Sequence, residues 1–119
     1  VKLKIKYFPE EQDENRSSVK KYIESLEKKH KKIYDLTQID LRTIEQNGVK
    51  AINDFKKQGI CKSLGDGLYE LRIPKNARGG VLRIYFQFHH FQKDTIIILD
   101  AEFKKKKKGD TKKARKNKN

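Results

Sequence analysis

Two arginines, Arg72 and Arg83, stand in stretches where apolar and polar residues alternate, Leu68 to Ile73 and Val81 to Phe88. A guanidinium is a planar fork of donors suited to phosphate oxygens. Tyr85 follows Arg83 by two positions, so an extended chain presents both on one face. A ring beside cations suits single-stranded nucleic acid, whose bases stack while its phosphates are neutralised. Further cations stand at Lys2, Lys4 and Lys6, at Lys62, and at Lys75 and Arg78 in the Pro74–Gly80 loop. The run Lys104 to Lys108 opens a C-terminal stretch, residues 104 to 119, with ten basic residues and one acid. Each has a plainer reading. Lysines on an outer strand guard against edge-to-edge association. Arg72 and Arg83 have Glu70 and Glu102 as nearby acids to pair with. A like-charge run also serves solubility.

Other chemistry is thin. The glycines at 65, 67, 79 and 80 lack the spacing and the Lys-Ser/Thr of a phosphate loop. His89 and His90 are adjacent, so on a strand they point to opposite faces and suit a hairpin better than a metal. Cys61 is alone, which excludes an internal disulfide and a cysteine-rich zinc site, and it reads as an inert thiol. His30, among Lys28, Lys29, Lys31 and Lys32, reads as a solvated helix-end residue favoured by the helix dipole. No ligand cluster implies a cofactor.

The elements that must hold these residues follow from periodicity. Val1 to Tyr7 alternates as a strand, ended by Phe8-Pro9. Arg16 to Lys32 reads as a helix on Val19, Tyr22, Ile23 and Leu26, with Ser17 or Ser18 as cap. Asp35 to Asn47 reads as a second helix on Leu36, Ile39 and Ile44, capped by Asp35 or Thr37 and stopped at Gly48. Val49 to Gln58 is a third, or the continuation of a broken second. Leu68 to Ile73, Val81 to Phe88 and Thr95 to Phe103 are strands. The last is apolar on both sides through Leu99 and belongs in the middle of a sheet. The order predicts one α+β domain over residues 1–103, with helices on one sheet face and the other face open and cationic. Residues 104–119 are expected to be a basic tail, poorly ordered when free. The chain has 119 residues, a net charge of +14, 39% charged and 34% apolar residues, enough for one small core. No apolar run approaches the roughly 18 residues of a spanning helix, and no secretory leader is visible. The expected setting is the cytoplasm, away from membranes.

Lys62-Ser63-Leu64-Gly65-Asp66-Gly67-Leu68-Tyr69-Glu70-Leu71-Arg72 resembles the K-x-L-x-x-G-L-Y/W-E-L-R stretch of the RelE/ParE toxin superfamily, the HigB-like branch above all. Gly80-Val81-Leu82-Arg83-Ile84-Tyr85-Phe86 is similar to that family's next strand, and Ile96 to Leu99 followed by Phe103-Lys104-Lys105 to its last strand and F-x-K-K. The resemblance spans residues 60 to 108 by motif. It implies a RelE-like fold and the toxin of a type II toxin–antitoxin pair, a ribosome-dependent mRNA endoribonuclease. The alternatives are a ParE-type inhibitor of DNA gyrase and a basic RNA- or ribosome-binding module. It implies that Arg83, then Arg72, and Lys105 stabilise the phosphate during attack by the 2′-OH. Lys62, Lys75, Arg78, Tyr85, Lys104 and Lys106 would contact RNA. Residues 109 to 119 carry neither the His nor the Tyr that several members use for proton transfer. The implied partners are mRNA on the ribosome and a helix-turn-helix, HigA-like antitoxin, with operator DNA bound only through the antitoxin.

Overall fold

A computed structural model describes residues 1–9, 13–75, 78–105 and 110–118. The first strand, β1, is Lys4–Tyr7. A short 3-10 turn, Glu14–Arg16, leads to α1, Ser18–Lys29. Ser17 joins the two: its hydroxyl accepts from the Lys20 amide at 3.3 Å and donates to the Phe8 carbonyl at 2.7 Å. This cap fastens the end of β1 to the start of the helix.

Helix α1 buries Val19, Ile23 and Leu26 of the predicted stripe, but Tyr22 stays 37% exposed, and the helix ends at Lys29 rather than Lys32. Helix α2, Lys31–Asn47, begins earlier than expected, and neither Asp35 nor Thr37 caps it. His30 alone separates it from α1, and the His30 carbonyl accepts from the Tyr34 amide. The buried stripe of α2 is Thr37, Leu41 and Ile44, so Leu36 and Ile39 face outward, 41% and 57% exposed. Gly48 ends α2 at φ +65°, where a Cβ would lie 1.8 Å from the Val1 carbonyl oxygen. Helix α3, Val49–Gln58, is thus separate, and buries Ala51, Ile52 and Phe55.

The remaining chain forms β2 Cys61–Gly65, β3 Leu68–Ile73, β4 Val81–Phe88 and β5 Thr95–Lys104. The sheet order is β1-β5-β4-β3-β2, with β1 parallel to β5 and the other pairs antiparallel. The molecule is therefore α+β, with α1 to α3 laid on one face of a five-stranded mixed sheet. Strand β2, an edge strand, is one more than periodicity predicts. Strand β5 lies inside the sheet, as its two apolar faces require.

The main core joins Leu71, Ile73, Leu82, Ile84, Phe86, Ile96 and Ile98 to the three helices. A β-bulge shifts the register between β4 and β5: Tyr85 faces Asp100 and Phe86 faces Ile98, leaving Leu99 unopposed. The extra residue reverses the alternation. Ile97 and Leu99, then Asp100 and Glu102, thereby share the face away from α1 to α3.

That second face is not open. Helix α4, Lys112–Asn117, packs on it, and Ala114 is fully buried in a second cluster with Leu68, Tyr85, Ile97 and Leu99. β4 is consequently buried on both faces along residues 81 to 87. The expected tail gave no sign of this helix, because one apolar residue among lysines makes no periodic stripe. Among the described residues, no helix is long and apolar enough to cross a membrane.

Candidate nucleic-acid interface

On the face opposite α1 to α3, cross-strand register builds two rows. Lys62, Glu70, Tyr85 and Asp100 oppose one another in the first, and Arg72, Arg83 and Glu102 in the second. Partners directly across a sheet share a face. The structure therefore gathers Lys62, Arg72, Arg83 and Tyr85 around Glu70.

Glu70 is the residue that organises them. Its Oε1 accepts from Arg72 Nε at 3.0 Å, and its Oε2 accepts from Arg83 Nη1 at 3.1 Å. Two like charges directly opposite repel, and a carboxylate shared between them offsets that repulsion. Glu70 is 4% exposed and Arg83 is 2% exposed, whereas the Arg72 side chain keeps 28% of its surface in solvent. Pairing of the two arginines with a nearby acid, one of the readings open from sequence, is what the fold adopts. The acid is Glu70 for both.

Glu102 organises the neighbouring group. The Tyr85 hydroxyl donates to Glu102 Oε2 at 2.9 Å, and the Asp110 amide donates to the same oxygen at 2.8 Å. Lys104 Nζ lies 3.2 Å from Glu102 Oε1. Burial, then the hydrogen bond to Glu102, pushes the Tyr85 hydroxyl far above the ordinary phenol range, so it stays protonated. Tyr85 was expected to offer a ring for a base to stack on. At 0% exposure it offers no ring face, because Ala114 of α4 covers it.

Helix α4 is attached by contacts at both ends. Asn117 Nδ2 donates to the Leu99 carbonyl at 2.9 Å, and an Arg115 Nη donates to the Leu64 carbonyl at 3.2 Å. Lys113 lies 3.9 Å from Asp100 and Arg115 lies 3.7 Å from Asp66. Burial raises the Asp100 carboxyl above the usual carboxylate range, with Lys113 acting against the shift.

The other expected contacts are distributed differently. Lys62 is exposed on β2, across from Glu70. Lys105 is exposed immediately after β5. Lys75 and Arg78 are exposed on the β3–β4 loop, and the Lys75 side chain lies over Gly59, which follows α3. Lys106 lies outside the described residues. Cys61 is buried, and burial pushes its thiol up to about 11, so it is a poor nucleophile at neutral pH. His89 Nδ1 accepts from the Phe91 and Gln92 amides at 3.1 Å and 3.0 Å, which fixes the β4–β5 hairpin. Among the described residues, no group of three or more His, Cys, Asp or Glu is placed to hold a metal ion.

Sequence reasoning missed the position of Glu70 between both arginines and the role of Glu102 in holding Tyr85, Lys104 and Asp110. The signal was present in the two-residue steps Glu70–Arg72 and Arg83–Tyr85, which the observed register of β3 with β4 brings side by side. No family model matches the chain, and no curated protein or solved structure matches it.

Proposed function

We propose that this chain acts on RNA as the toxin of a type II toxin–antitoxin pair, cutting ribosome-bound mRNA. The observation that carries the reading is the Arg72–Glu70–Arg83 bridge on the helix-opposite face of a chain with net charge +14. An RNA 2′-OH attacking its own 3′-phosphate yields a cyclic phosphate and a 5′-OH, through a transition state rich in negative charge. Guanidiniums already oriented by a carboxylate meet that charge without reorganising. Arg72, the more exposed of the two, meets the phosphate first; Arg83 supports it from behind, and Lys62 and Lys105 extend the positive field. The resemblance in the β3 and β4 motifs points the same way. A cationic RNA-damaging protein needs neutralising, so an antitoxin with an acidic or amphipathic segment belongs to the proposal.

The test is cleavage of mRNA on programmed ribosomes, mapped by primer extension. Wild type is expected to cut, Arg72→Ala to cut at least tenfold more slowly, and Arg72→Lys to recover only part of the rate. Intact mRNA with wild type refutes the enzyme reading.

The burial of Arg83, and that of Tyr85 beneath α4, favour a second reading. In it the bridge is structural and the chain binds RNA or the ribosome without cutting, with steep salt dependence. A third outcome, blocked supercoiling by purified gyrase with mRNA intact, would assign the chain to the gyrase-directed branch.

A further inference from the structure

Beyond the arginine bridge, the sheet has a second feature at the same end. His30, between α1 and α2, stacks on Phe103 of β5, with ring centroids 4.1 Å apart and planes 29° apart. Together with Lys31, Lys32, Ile33 and Gly80 they line an open groove of about 400 Å³. That volume falls within the roughly 300–1,000 Å³ of small-ligand sites. Gly80 makes the groove possible. It sits at φ +120°, and a Cβ there would lie 2.6 Å from Phe103 Cζ. Only a residue without a side chain lets the loop pass over the ring. The Tyr22 hydroxyl, accepting from the Phe103 amide at 3.1 Å, ties α1 to that stretch of β5.

Among the described residues, the groove has an aromatic floor, a cationic rim and no acid in its lining. The lysines that line it are Lys31 and Lys32, and Lys105 is exposed just past the end of β5. Lys31 contacts Asp35 at 3.0 Å and Glu27 at 4.0 Å. Both pairs are exposed, and such pairs are weak enough to yield to a phosphate. Flat rings between ammonium groups suit an unpaired nucleobase held by stacking, with its phosphates on the lysines. An acidic peptide would use the rim but would gain little from the ring floor.

The location agrees. The Leu82–Phe103 pair is next to the Arg83–Glu102 pair along β4 and β5, on the opposite face of the sheet. A strand of RNA passing over the sheet end by Lys104 and the β3–β4 loop would reach both. We propose that this His30–Phe103 groove is a stacking subsite for a base of single-stranded RNA, adjacent to the phosphate contacts of the arginine bridge. The inference rests on the RNA reading above, but not on cleavage.

The experiment measures binding of the full chain to a fluorescein-labelled 2′-O-methyl octauridylate by anisotropy at 100 mM salt. The same strand with abasic riboses is the comparison. Methylation removes the attacking hydroxyl, so binding is read whether or not the protein cuts. Wild type should prefer the base-bearing strand by about tenfold, the effect of stacking a base. Phe103→Leu and His30→Ala should each reduce that preference at least threefold, whereas Arg72→Ala should weaken both strands alike. His30 is half-buried and its alanine variant keeps the core intact, so it serves if Phe103→Leu does not fold. Equal binding of the two strands by wild type, or a preference unchanged in His30→Ala, overturns the proposal. Absence of mRNA cleavage alongside an intact base preference would overturn the catalytic reading and leave this one standing.

Discussion

Glu70 is the side chain on which the bridge depends. Its two oxygens serve two guanidiniums, and both it and Arg83 are buried. Removing one partner of a buried ion pair leaves a charge in a poor solvent. Glu70→Ala is therefore expected to lower stability by about 3 kcal/mol, read as a shift in the urea midpoint with unchanged slope. Arg72→Ala, at the half-exposed end of the bridge, should cost about 1 kcal/mol or less. An equal loss in both would show that the buried pair with Arg83 adds nothing to the more exposed pair with Arg72. Burial holds the Cys61 thiol up from 9.0 to about 11 and the Tyr7 hydroxyl up from 10.0 to about 12. The folded protein keeps these protons while the unfolded chain releases them, so the stability they contribute is complete below about pH 9 and falls away between 9 and 12. Urea midpoints measured from pH 8 to 11 should fall, and Cys61→Ala should flatten the lower part of that fall. The types and spacing of Arg72, Arg83 and Tyr85 were legible in the sequence. The burial of Tyr85 was not, since it depends on a helix that has no pattern of its own.

Helix α4 is the element that sequence periodicity could not see. Six residues with one alanine bury almost nothing alone, and they hold because Leu68, Tyr85, Ile97 and Leu99 already form a floor. Ala114→Asp puts a charge against that floor. It is expected to cost about 2 kcal/mol where α4 docks. Trypsin should then cut within residues 112–118 many times faster while the sheet stays protected. Uniform loss of protection would mean that α4 is part of the global folding unit. Strand β2 escaped notice for a related reason. Cys61 to Gly65 has no alternation, and it is a strand because β3 offers an unpaired edge. Helix α2 was visible as a helix, but its apolar residues fit two stripes, and packing chose Thr37–Leu41–Ile44 over Leu36–Ile39. The joint between α2 and α3 was clearer. Gly48→Ala, which needs φ +65° and brings a Cβ onto the Val1 carbonyl, should lower the thermal midpoint by several degrees.

For the molecule as a whole, the excess of cations decides how it meets its surroundings. The described part of the chain spreads positive charge over both faces of the sheet, through Lys62 and α4 on one and the lysines beside His30 on the other. Binding to single-stranded RNA should weaken steeply with salt, by about 100-fold between 50 and 200 mM if about five phosphates are engaged. A flat response would show that charge does not drive association. The α+β class and the order of most elements were legible because the core strands alternate cleanly. The second layer was not, because charge repels and only the finished sheet gives it a place to rest.

The parallel pairing of β1 with β5 joins residues about ninety positions apart in the chain. The antiparallel strands β2 to β5 meet through short connections, and such local contacts form early, whereas a distant parallel partner arrives late. During synthesis the first strand has no seat until the last one has emerged. Until then its apolar side is a risk for pairing with another molecule, and Lys4 and Lys6 are the residues that keep such strangers away. Pulsed hydrogen exchange during refolding should find the amides of Lys4 to Tyr7 protected after those of β3 and β4.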